Sequence, residues 1–258
     1  MAMIAMCCFD TEENGRTKFT AKTLESLEDT VDLNKHRIII VDNASCQETK
    51  DILAFFGKKD NVEIITLPEN IGTAKAINLA WRRRRPQEHL VKMDNDVVFH
   101  QENWVDLLEE AIGRDPEVIG QAALKRKDLA ETPLSDNDWY RSELVMLPHK
   151  PGEKWIVGEK VLHCMGTCVM HNYRLIDKVG GLHQMNGLYG FDDSLMSLRS
   201  RLSGFKNMFI HGVEIDHIDA GDNPYSEEKR QYAGKMMAAY GQAREEYTAG
   251  TRSLYEEL

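Results

Sequence analysis

Four short aliphatic runs, each breaking off into polar residues and each followed or separated by a stretch with helical spacing, constrain the fold more than any other feature of the chain. Met3 to Phe9 reads as a first strand, Arg37 to Val41 (RIIIV) as a second, Val62 to Leu67 (VEIITL) as a third and His89 to Met93 (HLVKM) as a fourth. Runs this continuously apolar suit strands covered on both faces. Between them, Leu24, Leu27 and Val31 recur at helical spacing within Thr20 to Val31, Glu48 to Phe56 reads as a second helix, and a third runs from about Thr73 to Arg84 until Pro86 stops it. Strands alternating with helices predict an α/β chain with parallel strands and crossover helices. In such sheets ligands bind outside the strand carboxyl ends, so Asp42, Asn70 and the Asp94 to Asp96 cluster should converge there.

Beyond this half, Trp104 to Ile112 predicts a helix and Val118 to Leu124 a strand, while Lys125 to Gly158 is polar and rich in turn signals, as in a long loop or irregular hairpin. Lys160 to His171 alternates as one strand, which would put Cys164 and Cys168 on a single face as core thiols. Tyr173 to Val179 is a short helix ended by Gly180 and Gly181, Ser194 to Leu202 a helix closed by Gly204, and Phe205 to Val213 a last strand. The charged stretch from Ser226 predicts an outer helix. These limits give one domain over 1–225, with a first half over 1–99 and a second over 100–225, and a helical extension over 226–258.

Composition excludes several classes. With 258 residues, 32 Lys and Arg against 42 Asp and Glu, and a net charge of −10, the chain can bury a sizeable core and lacks the basic surplus of a general nucleic-acid coat. Five irregularly placed cysteines cannot all pair, which predicts reduced thiols in the cytoplasm. No apolar run is long enough to span a membrane, and the N-terminus has no basic region of a signal peptide.

Asp94-Asn95-Asp96 places two carboxylates at a strand end, where oxygen ligands suit Mg²⁺ or Mn²⁺ with positions left for phosphate. The same residues also suit a plain turn. Asp192 and Asp193 precede a helix, where Asp is a good cap, and a carboxylate in a partly dry pocket can also serve as a general base. Asn70 and Gly72 fit a strand-to-helix turn equally well, and Lys75 fits a solvated helix face.

Taken together, IIIVDNAS (Ile38 to Ser45), ENIGTAKAINLAW (Glu69 to Trp81), KMDNDVVF (Lys92 to Phe99), GTCVMHNYRLIDKVGGLHQ (Gly166 to Gln184) and GFDDSLMSLRSRLSGFK (Gly190 to Lys206) resemble, in order, a family 2-type glycosyltransferase of GT-A fold. The resemblance covers about residues 1–217 and implies a Rossmann-like, mixed but mainly parallel sheet flanked by helices. It implies that Asp42 and Asn43 lie near the nucleobase, that Asn70, Gly72 and Lys75 line the nucleoside and diphosphate, and that Asp94 faces the ribose and donor. Asp96 would ligate the metal, with Asp94 beside it and His217 as a third ligand. Asp193 aligns with the family's catalytic base and Asp192 with the acidic residue before it, which implies inverting transfer. Leu195 departs from the pattern, since many relatives carry Asp there.

The resemblance thus implies a metal-dependent enzyme, with Mn²⁺ or Mg²⁺ as cofactor and a nucleotide sugar, UDP-linked by preference, as donor. The acceptor stays open between a glycan, a small molecule and a modified DNA base; the opening CCFDTEENGRT is similar to small phage-encoded glycosyltransferases, some of which act on modified DNA. For DNA, positive charge would have to gather from Arg82 to Arg85 with Lys125, Arg126 and Lys127, although a solvated helix end accounts for the arginines. Two other readings are a sugar nucleotidyltransferase, disfavoured because acidic Thr11 to Gly15 offers no phosphate loop, and a silent binding or scaffold protein. Trp139, Tyr140 and Trp155 would stack on a sugar or anchor the polar segment.

Overall fold

Six of the seven residues of β1 (Ala2–Cys8) are fully covered, because helices pack on both faces of it. Ala2, Ile4, Met6 and Cys8 point to one side, against Leu24 and Leu27 of α1 (Thr17–Thr30) and Leu53 and Phe56 of α2 (Gln47–Phe56). Met3 and Ala5 point to the other, against Ile77 and Trp81 of α3 (Thr73–Trp81) and Leu175 and Val179 of α6 (Tyr173–Val179). The period-2 alternation of side chains thus feeds two cores from one strand.

The computed structural model describes residues 1–130, 142–221 and 224–258. β1 pairs in parallel with β2 (Arg37–Asp42) and with β4 (His89–Met93), and β2 pairs in parallel with β3 (Val62–Thr66). After β5 (Val97–Phe99) and α4 (Trp104–Arg114), the strand β6 (Ile119–Arg126) leads into the short α5 (Lys127–Ala130). The remaining elements are β7 (Glu143–Met146), β8 (Val157–Val161), β9 (Cys168–His171), α6, α7 (Asp192–Leu202), β10 (Lys206–His217) and α8 (Pro224–Ala249). Sheet order is β3-β2-β1-β4-β9-β6-β10-β8-β7, with β5 paired to β10. Strands β1 to β4, β6, β7 and β10 run one way, while β5, β8 and β9 run the other.

Two expected strands turn out differently. Lys160 to His171 is two strands: β8 lies between β7 and β10, and β9 lies between β4 and β6. The alternation continues through residues 162–167, but Gly166 there gives its carbonyl to Lys92 and its N–H to Asp193, which holds the segment out of any ladder. The last strand extends beyond Val213 to His217, with a register shift between Ile210 and Glu214 after which it pairs with β5. The polar segment after Lys125 takes in part the hairpin form expected of it, as β7/β8, and Trp139 and Tyr140 lie outside the described residues.

Leu195 sits on the face of α7 covered by Tyr240, Ala243 and Tyr247 of α8, and it is fully buried. The apolar departure there serves helix packing. The chain end continues past α8 so that Glu256 bridges to Gly180 and accepts hydrogen bonds from His183 and Tyr247. No helix of the described residues is long and apolar enough to cross a membrane.

Candidate active site

A cavity of about 580 Å³ opens at the carboxyl ends of β1, β2 and β4 and is closed by the N-terminus of α7, the end of β10 and the first turns of α8. Its electrostatics are set by Lys92, a lysine inside an otherwise apolar buried strand. The ammonium lies 2.7 Å from Asp94 Oδ1 and donates to the Gly166 carbonyl at 2.7 Å. Burial opposes its charge, but Asp94, Asp192 and Asp193 around it raise its pKa well above the usual lysine range. A buried charge of this kind persists only when paired, so one lysine ties three carboxylates to a single cavity.

Asp193 stands in the first turn of α7, where carboxylates complement the helix dipole. Its Oδ2 accepts from Gly166 N at 3.0 Å and lies 3.3 Å from His163 Nε2, and its Oδ1 accepts from Ser194 N at 2.7 Å. Burial pushes its pKa up, yet the His163 contact, Lys92 and the Gly166 N–H outweigh that and hold it below the usual carboxylate range. A Cβ on Gly166 would meet Lys92 Nζ at 2.6 Å and Asp193 Cβ at 3.2 Å, so only glycine allows this approach. Asp192 is different: burial, with Asp193 and Asp94 nearby, raises it to about 6 against the pull of Lys92, and its Oδ2 is buried without a partner. Asp193 retains 29% side-chain exposure while Asp192 is 7% exposed, so Asp193 is the carboxylate a substrate can reach.

On the opposite wall, Asp96 Oδ2 accepts from Arg16 Nη2 at 2.6 Å and lies 3.5 Å from His217 Nε2. The β5/β10 pairing makes this meeting possible, because it places His217 opposite Val97 and lets Ile218 N donate to the Asp96 carbonyl. Arg16, 2% exposed, also pairs with Asp219 and donates to Asn95. Although burial works against it, His217 and Arg16 keep the Asp96 carboxyl below its usual range. Asn95 turns inward, donating to Asp10 Oδ1 and Thr20 Oγ1, and so anchors the two flanking aspartates to α1.

Another wall of the cavity is a chain of amides. Asn43 Nδ2 donates to Asn70 Oδ1 at 2.8 Å, and Asn43 Oδ1 and Asn70 Oδ1 accept from the backbone N–H groups of Ile71 and Gly72. Asn43 and Asn70 line the cavity. Gly72, at φ +91°, does not line it; a Cβ there would meet Gln184 Oε1 at 2.8 Å. Asp42 is fully buried behind this wall, with Oδ1 accepting from Ser45 N and Oδ2 unpartnered. Lys75 faces solvent, because α3 turns Ala74, Ile77 and Trp81 toward the core. The cavity therefore gathers Asn43, Asn70, Asp94, Asp96, His217, Asp192 and Asp193, and leaves Asp42, Gly72 and Lys75 off its surface.

A family model for glycosyl transferase family 2 matches residues 4–180, more than half of the chain. This chain belongs to glycosyl transferase family 2. Its fold is the GT-A fold of glycosyltransferases, and the similar solved structures include three of distant sequence. The mannosyltransferase PcManGT from Pyrobaculum calidifontis, in complex with GDP-Man and Mn²⁺, matches at a TM-score of 0.58 and 14% identity over 80% of this chain and 53% of that one. Residues 1-349 of S. aureus TarS in complex with UDP match at 0.55 and 16%, over 81% and 57%. GalNAc-T7 with UDP, GalNAc and Mn²⁺ matches at 0.60 and 12%, over 87% and 46%. The family 2 chain thus spans about half the length of these relatives. No curated protein matches it.

As a metal site, the family 2 residues present hard oxygen and imidazole donors: Asp96 Oδ1 and His217 Nδ1 are both buried without a hydrogen-bond partner. They fit a divalent ion. Asp94, held by Lys92, does not close a three-ligand cluster with them; among the described residues the one group of three whose ligand atoms lie within 4.8 Å is His36, Asp106 and Glu109, far along the sheet at the base of β2. That group is already neutralised, with the N-terminal amine on Glu109 and Lys35 on Asp106.

Lys92 and Arg16 were not singled out from the sequence as site residues. Lys92 carried a signal, a charge in the middle of an aliphatic strand, whereas Arg16 meets Asp219 across 203 positions and nothing local announces it. His171, by contrast, is a core residue: burial, then Lys92 and Arg199, pushes it down to about 3, and it packs on Trp81. Cys164 and Cys168 are buried free thiols, each pushed up by burial. The basic run is largely spent on local partners, with Arg83 on Glu63, Arg84 on Asp177 and Arg82 on the Leu258 carbonyl, while Lys125 and Arg126 pair with Glu159 and Asp128.

Proposed function

We propose that this chain is a metal-dependent, inverting glycosyltransferase that moves a sugar from a nucleotide-sugar donor, UDP-linked in our reading, to an acceptor hydroxyl. The observation that carries the reading is the shared cavity: a reachable carboxylate, Asp193, faces the same space as the Asp96 and His217 pair and the Asn43 and Asn70 amides. The three solved relatives support the donor class, since each was captured with a nucleotide or nucleotide sugar and two of them with Mn²⁺.

Asp96 and His217 would hold Mn²⁺ or Mg²⁺, with Asp94 toward the ribose and donor, and such an ion supplies charge neutralisation for the leaving diphosphate. Arg16, paired with Asp96 and Asp219, and Lys229 add positive charge on the same wall; burial, then the neighbouring Arg16, lowers the Lys229 pKa against the pull of Asp96, Asp94 and Asp219. Asn43 and Asn70 orient the nucleoside, with Asp42 and Gly72 supporting that wall from behind, while Lys75 reaches the donor only from the solvent side. Asp193 takes the proton of the attacking hydroxyl, held in place by the Gly166 N–H, while Asp192 and Lys92 set the local charge. Displacement with one base inverts the anomeric centre.

The pairing of Arg82 to Arg84, Lys125 and Arg126 with local groups favours a soluble glycan or small molecule over DNA as acceptor. Five free cysteines suit a cytoplasmic setting. The test is sugar-nucleotide turnover, followed as nucleotide release in the presence of Mn²⁺, with product anomeric configuration read by proton NMR. Asp193→Asn is expected to lower kcat by about 10² to 10⁴ with UDP affinity retained, the range for loss of a general base. Equal turnover in wild type and Asp193→Asn would remove Asp193 from this role.

A further inference from the structure

Residues 162–167, between β8 and β9, lie outside any ladder and bring two groups to Asp193. Gly166 N donates to Asp193 Oδ2 at 3.0 Å, and His163, three residues earlier, sets its Nε2 3.3 Å from the same oxygen. The chain is pinned on both sides of the histidine. The Leu162 carbonyl accepts from Asn207 Nδ2 at 3.3 Å, and Cys164 N donates to Ser197 Oγ at 3.1 Å; Asn207 and Ser197 are both buried. His163 is thus fixed against β10 and α7 together, and a group that orients another needs such support.

The two oxygens of Asp193 are not equivalent. An ionised carboxylate offers about four lone-pair positions. Oδ2 faces two donors from this one segment, the Gly166 N–H and the His163 ring. Oδ1 accepts from Ser194 N at 2.7 Å and is otherwise approached only by Ser194 Oγ, at 3.5 Å, which leaves room there for an acceptor hydroxyl. Because Asp193 is held ionised, the nitrogen that faces it carries the ring proton; a bare lone pair at Nε2 would oppose the anion. Nε2 also lies 3.4 Å from Ser194 Oγ, so that proton is shared between the carboxylate and the hydroxyl.

We propose that His163 is the positioning residue of the base: it closes Asp193 Oδ2, so that Oδ1 is the oxygen that receives the acceptor proton. The proposal rests on the transferase reading above and names the reacting atom and the residue that selects it. In the transfer step the acceptor hydroxyl proton passes to Oδ1 while the acceptor oxygen bonds to the anomeric carbon. The bond from that carbon to the diphosphate breaks, its electron pair leaves with the diphosphate oxygen, and His163 keeps its proton on Nε2 throughout. A base whose second oxygen is tied down cannot turn about its side-chain bond, and the orientation of the attacking hydroxyl is fixed with it. The break between β8 and β9 then has a purpose in the site, since a strand continued through residues 162–167 would spend the Gly166 N–H on a neighbouring strand.

The experiment has two readouts on the full chain. The first is proton NMR of the nine histidines at about pH 8, where a free imidazole is neutral. A ring N–H resonance protected from exchange, assigned to His163 by its loss in His163→Gln, is expected in the wild type and should vanish in Asp193→Ala. No such resonance, or one indifferent to Asp193→Ala, overturns the proposal whether or not the chain turns over a sugar nucleotide. The second is nucleotide release from UDP-glucose, UDP-galactose and UDP-GlcNAc with Mn²⁺. His163→Ala is expected to lower kcat by about tenfold or more with the donor KM unchanged, the scale of a misplaced reacting group. His163→Gln, which keeps a donor near the Nε2 position, should recover most of that loss, and His163→Ala should change nothing in the Asp193→Ala background. A fall that Gln does not recover, or one that persists without Asp193, overturns the proposal, because His163 would then act on folding or elsewhere in the site. Release by no protein with any of the three donors is a different result, which overturns the donor reading.

Discussion

Arg16 Nη2 lies 2.6 Å from Asp96 Oδ2, so the carboxylate proposed to hold a divalent ion is already paired with a cation of the chain itself. The same guanidinium pairs with Asp219 and lies 4.7 Å from the Tyr225 ring centre, joining the loop after β1 to the residues after β10 and to α8. A divalent ion held at Asp96 Oδ1 would share that carboxylate with Arg16 on Oδ2.

Replacing Arg16 by Ala leaves Asp96 with one fewer partner in a buried site. Breaking such a pair costs about 3 to 5 kcal/mol. Thermal unfolding of Arg16→Ala without metal should show a lower midpoint than wild type, and Mn²⁺ should raise the variant's midpoint by more than it raises the wild type's. Equal Mn²⁺ shifts in the two proteins would show that Arg16 does not compete for Asp96.

Asp192 carries a pH signature of known sign. Its folded-state pKa is raised from 3.8 to about 6, so its contribution to stability is complete below about pH 4 and is lost as pH rises through 6. By pH 7 this group alone costs on the order of 3 kcal/mol. Urea unfolding should find Asp192→Asn more stable than wild type at pH 7, with the difference gone near pH 4. A variant less stable than wild type at pH 7 would mean that Asp192 is needed as an anion beside Lys92.

Much of the fold was legible because the first four strands are continuous aliphatic runs whose helices carry apolar residues at helical spacing, and local pattern decides such elements. Residues 160–171 were not, since their alternation is the same on both sides of Gly166 and only the approach of Lys92 and Asp193 separates β8 from β9. At the site, Asn43, Asn70, Asp94, Asp96, Asp192, Asp193 and His217 reach one cavity because strand ends and a helix start position them. Lys75 shows the limit of motif spacing: its place in the third helix is as expected, but the helix rotation that buries Ala74 and Ile77 turns it to solvent. Arg16 and its Asp219 partner depend on tertiary closure of the whole chain and leave no local trace.

Gly166→Ala tests the crowding beneath the base. The new Cβ would sit 2.6 Å from Lys92 Nζ, the far end of a flexible side chain, so the fold should survive while Lys92 and Asp193 shift. A change in the melting temperature of only a few degrees is expected together with a fall in kcat of at least tenfold, since misplacement by about 1 Å can cost about 10²-fold. Unchanged kcat would show that the Gly166 contacts with Lys92 and Asp193 do not matter to turnover.

Arg199 is fully buried and faces the carbonyls of Val179, Gly181 and Leu254 rather than a carboxylate. It joins α7 to the turn after α6 and to the chain end. Arg199→Met removes the donors and leaves three acceptors short of a partner, so chemical unfolding should show a loss of about 3 kcal/mol or more. A loss below about 1 kcal/mol would mean that these carbonyls find other donors.

The central claim is a metal-dependent nucleotide site, and the most direct measurement is calorimetric titration of UDP, GDP, CDP and dTDP into the chain with Mn²⁺ and with chelator. The account predicts that UDP binds at one site with Mn²⁺, that chelator weakens it at least tenfold, and that Asp96→Ala does the same with metal present. Binding of UDP that is indifferent to both Mn²⁺ and Asp96, or no binding of any of the four nucleotides, would contradict it.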